Sequence, residues 1–225
     1  MKKIVDTKRT VATYQFLPTG FHGDKHLIDL IDYLVSLQAS TFIETGTNVS
    51  STLHYFASKN LNMPCYSCEP DTKAFSIAKE HTKSQKNVNL YNQTSQEFIQ
   101  TLEEEHPEVF EGKPIFWLDA HGYGFEWPIE EEIKFVSSKF EKCYVLIDDF
   151  KVPHLDVFGY DVYQDQVCSY DYIKKYFSHH NYQLIYPNYT EKTSKHHPLR
   201  GWGLFVFGEQ LKFPEEIQKY IKFAH

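Results

Sequence analysis

The chain has 225 residues, 41% of them apolar, and a formal net charge of −7, which fits one α/β domain with a full-sized core. Its 30 acidic residues outnumber its 23 basic ones, which argues against nucleic acid as the main partner because phosphate binding needs a basic face. No run approaches the ~20 apolar residues of a membrane span and MKKIVDTKRT lacks the apolar centre of a signal peptide, so a cytoplasmic protein with a small-molecule substrate and no membrane partner is expected.

No Pro/Gly/Ser linker divides the chain, so residues 1–225 read as a single domain. Residues 1–38 form an N-terminal arm and a cap helix, the helix resting on the spacing of apolar residues in HLIDLIDYLVSLQ. Strands are then predicted near 41–45, 64–69, 87–91, 115–119 and 143–148, alternating with helices over 49–60, 72–84, 94–105 and 128–140. Asp71, Thr94 or Ser95, and Pro128 supply the helix starts. An irregular aromatic stretch over 150–170 reads as a substrate-side loop. A helix, the strand QLIYP, a polar loop and the strand WGLFVFG follow. Apolar strands separated by helices imply a mostly parallel sheet covered on both faces. Cys65, Cys68, Cys143 and Cys168 include a C-x-x-C inside a strand, with no second pair at zinc spacing, and read as buried free thiols.

Chemistry-bearing residues recur at the ends of the predicted strands. TFIETGTNVSST runs from an apolar strand through Glu44 and a turn at Gly46 into a helix, and the next strand ends in Glu69, near the spacing at which a carboxylate meets ribose hydroxyls. A dinucleotide fingerprint is absent, since the turn reads G-T-N-V-S-S, and no Lys-Ser/Thr pair follows a glycine as a Walker-A loop requires. IFWLDAHG places Asp119 and His121 at the fourth strand's end, and YVLIDDF places Asp148 and Asp149 at the fifth. Adjacent carboxylates at a buried edge repel, so a cation or a basic partner is expected beside them.

From Phe42 to Phe207 the order of elements and the acid-x-Gly turn followed by a second strand-end acid resemble the class I S-adenosylmethionine-dependent methyltransferases. The resemblance implies a Rossmann-like, seven-stranded, mostly parallel sheet with an antiparallel last strand and helices on both faces. It implies S-adenosylmethionine as cofactor, contacted by Glu44, Gly46, Thr47, Ser51, Glu69, Pro70, Ser95 and Asp119. The acid after the fourth strand and the acidic pair after the fifth look like the metal-dependent O-methyltransferase subgroup, which implies Mg²⁺ on Asp119, Asp148 and Asp149. Proton removal falls to that metal or to His121, with Asp119 beside it.

The loop carrying Lys195, His196, His197 and Arg200 is the basic cluster of an acidic chain, and Arg200 suits bidentate contact with an anion. With Tyr160 and Asp161 it forms the expected substrate-binding set, favouring a sugar or phosphorylated precursor of a surface polysaccharide or natural product. A solvated loop is the plainer reading of the same residues. Two other functions fit the pattern: a metal-dependent hydroxylase- or hydrolase-like enzyme on the same sheet, and a non-catalytic partner subunit that keeps the cofactor pocket. Homo-oligomerisation is compatible with either.

Overall fold

Short runs such as FIET, IFWL and CYVLI are apolar at nearly every position, so they are stable only where both faces of a sheet are covered. The computed structural model describes residues 14–120, 127–177, 181–195 and 197–224 and places those runs at the centre of a sheet. Strands β1 (Phe42–Thr45), β2 (Cys65–Cys68), β3 (Val88–Tyr91), β4 (Ile115–Leu118) and β5 (Cys143–Ile147) pair in parallel in the order β3-β2-β1-β4-β5. All residues of β1, β2, β4 and β5 are buried, as the apolar runs require.

A two-stranded hairpin, β6 (Val162–Tyr163) with β7 (Gln166–Val167), stands apart in the segment after β5. Then β8 (Tyr182–Pro187) and β9 (Gly203–Phe207) complete the predicted set, β9 inserting antiparallel between β5 and β8. The seven predicted strands thus take the order 3-2-1-4-5-7-6, the last in sequence running against the rest. An eighth, β10 (Ile221–Phe223), lies antiparallel on β8 and covers the sheet's edge. Three residues are too few to show a period, which is why it escapes the sequence reading.

Helices α1 (Lys25–Ser36), α2 (Ser51–Lys59), α3 (Thr72–Thr82), α4 (Ser95–Glu105) and α5 (Ile129–Lys139) cover the sheet, with short α6 (Tyr170–Ile173) and α7 (Glu215–Gln218) after them. Their starts follow from local chemistry. Asp24 accepts from the His26 and Leu27 amides, Asp71 accepts from the Ala74 amide, and Thr94 with Glu97 forms a reciprocal capping box. On α1, Leu27, Leu30, Ile31 and Leu34 are buried at helical spacing. Beneath them Phe42 stacks on Phe56 at 4.0 Å, and Phe21 meets Trp117 edge-on at 5.1 Å. Each such ring, buried fully, contributes about 2–3 kcal/mol.

The connections reverse direction at β1, whose neighbours β2 and β4 lead to opposite sides of the sheet. In open parallel sheets the crevice outside the strand ends at this point is the place for a ligand.

Candidate active site at the strand ends

Gly46, the first residue past β1, has φ +81, and a Cβ there would lie 2.4 Å from the Asp119 carbonyl oxygen. A side chain would therefore separate β1 from β4, so only glycine permits the turn. The Gly46 and Thr47 amides both donate to the Cys68 carbonyl, and Asn48 and Ser50 also take left-handed backbone angles, φ 50 and 69. Glu69, at the end of β2, locks this loop: one carboxylate oxygen accepts from the Asn48 amide at 2.6 Å, the other from the Asp71 amide at 2.9 Å. Burial pushes its pKa up, against those two hydrogen bonds.

Glu44 points into the sheet rather than out of its edge. Its carboxyl accepts from Ser67 Oγ at 2.6 Å, and Ser67 is bonded in turn to the Thr47 hydroxyl. Burial raises Glu44 to about 8, opposed by the Ser67 bond and helped by the charges of Asp119 and Glu69. At neutral pH it is largely a neutral acid. Around the same turn, buried Thr45 Oγ1, Asn48 Oδ1 and Ser50 Oγ have no hydrogen-bond partner among the described residues. Buried polar atoms left open in this way mark a place built for a ligand or water.

The other predicted cofactor contacts are placed as follows. The Ser51 hydroxyl accepts from the Leu17 amide at 2.9 Å, and the Pro70 carbonyl accepts from the Asn92 side chain at 3.2 Å. Ser95 is buried and donates to Glu132, a buried acid on α5. Asp119 meets β1 through its amide, which donates to the Thr45 carbonyl at 3.1 Å. His121 and His196 lie outside the described residues.

At the end of β5 the expected basic partner exists, and it comes from far away in the chain. His22 Nε2 lies 2.6 Å from Asp148 Oδ2, and Arg200 Nη1 lies 2.9 Å from Asp149 Oδ1 and 3.8 Å from Asp161 Oδ1. Asp148 and Asp149 are both 3% exposed, so the pairs are largely out of water. Burial alone would lower the pKa of His22, but Asp148, then Asp149 and Asp119, outweigh it and hold it at about 9. His22 is therefore an imidazolium at neutral pH.

Backbone strain sets its position. Gly20, Phe21, His22 and Gly23 all have positive φ, from 42 to 70, with Phe21 anchored in the core and His22 turned towards β5. The sequence reading passed over this histidine as part of an aperiodic arm, although two glycines flanking Phe-His were a backbone signal. Arg200 is held by the amide of Gly159 donating to Leu199 and that of Gly201 donating to Gly159.

These pairs bear on the metal expected at Asp119, Asp148 and Asp149. Two of the three carboxylates already face a protein cation within 2.9 Å, and among the described residues no group of three or more His, Cys, Asp or Glu side chains is arranged to hold a metal ion. The residues present do not fit Mg²⁺. Arg200 likewise sits inside the site, paired with aspartates, whereas Lys195 is exposed on the loop. Tyr160, half-buried, has the Lys151 ammonium 5.7 Å from its ring centre.

No family model and no curated protein matches the sequence. Solved structures do share the fold. A Bacillus cereus O-methyltransferase in complex with SAH superposes with a TM-score of 0.54 at 12% identity, covering 88% of this chain and 84% of that one. The O-methyltransferase TomG from Streptomyces achromogenes, in complex with SAM, gives 0.53 at 14% identity over 82% of this chain and 79% of its own. Spermidine synthase from Thermotoga maritima gives 0.53 at 13% identity, covering 83% of this chain and 61% of that one. At such identities the likeness is one of fold.

Proposed function

We propose that this Rossmann-like protein is an S-adenosylmethionine-dependent methyltransferase acting on an oxygen, or less favourably a nitrogen, of a small polar metabolite. The observation that carries the reading is the β1 turn: three left-handed residues, three unsatisfied buried polar atoms, and Glu69 across from them. A carboxylate offers about four lone-pair directions, and Glu69 uses two on backbone amides, so two remain for the vicinal hydroxyls of a ribose. Thr45, Asn48 and Ser50 would then face the remainder of the cofactor. The shared fold with O-methyltransferases solved in complex with SAM and with SAH supports this choice of cofactor.

When bound, the cofactor supplies an electrophilic methyl on a sulfonium sulfur. The protein's part is to align the acceptor oxygen behind that methyl, exclude water and take up a proton. Asp119 stands at the junction of the β1 and β4 ends, and the proposed base is His121, two residues on, with Asp119 beside it. An imidazolium such as His22 does not accept a proton at neutral pH, so its role is electrostatic. A sugar or phosphorylated acceptor suits the polar, charged cleft beyond β5.

The test is isothermal titration with S-adenosylhomocysteine, with and without Mg²⁺. One-to-one binding below about 1 mM, unchanged by the metal, is expected, and Glu69→Ala should weaken it by about 1.5–3 kcal/mol. Absence of binding to the wild-type protein would remove the methyltransferase reading.

A further inference from the structure

Glu69 and the β1 turn are covered. Glu69 is 4% exposed and Ser50 not at all, yet Thr45 Oγ1, Asn48 Oδ1 and Ser50 Oγ have no hydrogen-bond partner among the described residues. A ligand that is to reach these atoms must be admitted by a part of the chain that moves.

Residues 14–17 lie against that turn. The Leu17 amide donates to Ser51 Oγ at 2.9 Å, one residue past Ser50. The Phe16 ring packs 4.2 Å from that of His81 and 5.3 Å from that of His54, and His81 Nδ1 is 2.9 Å from the Val49 carbonyl oxygen. The Tyr14 hydroxyl donates to Asp71 Oδ1 at 3.3 Å, and the Lys73 ammonium lies 4.4 Å from the centre of the Tyr14 ring. Asp71 is also the residue whose amide holds Glu69. The segment therefore reaches from the residues beside Ser50 to those beside Glu69.

Its attachment is light at one end and firm at the other. Residues 14–19 are half-buried or exposed and belong to no helix or strand. Phe21, by contrast, is buried among Phe42, Phe56 and Trp117. Between them Gly20 takes φ 57 and ψ 167, a conformation essentially confined to glycine, and a Cβ there would lie 2.8 Å from Tyr55 Cβ. Pro18 has its own φ fixed by its ring, so a change of direction falls on Gly20.

We propose that residues 14–19 are a lid, hinged at Gly20, that closes over the adenosine end of the cofactor site, with Tyr14 and Phe16 as its clasps. The proposal rests on the methyltransferase reading in naming the ligand. Lifting the lid parts Tyr14 from Asp71 and Phe16 from the two histidines, while Phe21 stays in the core. The ties are single hydrogen bonds and one group of rings, so the lid opens without unfolding of the sheet.

Hydrogen exchange of the full chain, read by mass spectrometry with and without S-adenosylhomocysteine, tests it. In the free protein the amides of Gln15, Phe16, Leu17 and Thr19 should exchange at least about 100-fold faster than those of β1, and saturation with the ligand should slow them about tenfold. Phe16→Ala should release S-adenosylhomocysteine about tenfold faster than wild type in stopped-flow displacement. Tyr14→Phe, which loses only the bond to Asp71, should release it about threefold faster.

Thermal melts of each variant verify folding, and the tyrosine variant carries the test if the phenylalanine variant is unstable. Bound S-adenosylhomocysteine that leaves the exchange of residues 15–19 unchanged, or that leaves both variants at the wild-type rate, would overturn the lid and spare the methyltransferase reading. If S-adenosylhomocysteine does not bind, the methyltransferase reading falls, and the free protein decides on the lid: fast exchange of residues 15–19 upholds it, and exchange as slow as that of β1 overturns it.

Discussion

The ends of β1 and β2 and the end of β5 both hold buried carboxylates, yet they neutralise them by opposite means. Glu44 and Glu69 are satisfied by neutral donors close in sequence: the Asp71 amide two residues on, the Asn48 amide 21 residues back and the Ser67 hydroxyl 23 residues on. Asp148 and Asp149 are satisfied by full cations, one of them, His22, separated from its partner by 126 residues. Neutral donors supply no counter-charge, so burial raises Glu44 to about 8 against its hydrogen bond from Ser67. A cation beside these carboxylates is itself held charged, as His22 is at about 9. The first region is a set of neutral hydrogen bonds; the second is a fixed field of paired charges.

Removing a cation from the β5 end should have the largest effect. Arg200→Ala removes the guanidinium that lies against Asp149 and Asp161, and should destabilise the fold by about 3–5 kcal/mol in denaturant titrations. A loss below ~1 kcal/mol would mean that water already screens the pair. Next comes His22→Asn, expected to lower stability by about 2 kcal/mol at pH 6 and by much less at pH 10.

The direction of that pH dependence follows from the folded pKa standing above the unfolded one. The stabilisation is fully present below about 6.5, where a free histidine titrates, and is lost as pH rises through about 9. Urea midpoints of wild type and variant measured across this window should converge at the alkaline end.

At the other region the expected effects are smaller. Glu69→Gln keeps an acceptor for one backbone amide and should cost about 1–2 kcal/mol, with the loss of cofactor binding exceeding the loss of stability. Glu44→Gln should be nearly neutral at pH 5, where the wild-type side chain is protonated in the fold. Because the folded protein keeps a proton that the unfolded chain releases above about 4.5, wild-type stability declines between about 4.5 and 8. The glutamine variant should lack that slope, and a parallel decline in both proteins would place the titrating group elsewhere.

How far each region was legible follows from the same contrast. Alternating apolar runs and helix caps such as Asp71 and Thr94 depend on residues within a few positions, so the strand order of types, the turn at Gly46 and the strand-end acids could be read along the chain. The expectation that Asp148 and Asp149 need a positive partner was also sound, since it follows from repulsion between two adjacent charges. Its identity was not available, because a strand-end carboxylate does not record which distant segment will fold over it.

Local sequence determined the elements, the parallel sheet and the places where acids emerge from it, since backbone geometry and side-chain period act over short distances. Tertiary structure alone decided that Glu44 meets Ser67, that β10 pairs with β8, and that His22 and Arg200 pair with the two aspartates on which a metal was expected. Each of those outcomes depends on burial and on charge meeting charge across the fold, and both exist only after the chain has brought its ends together.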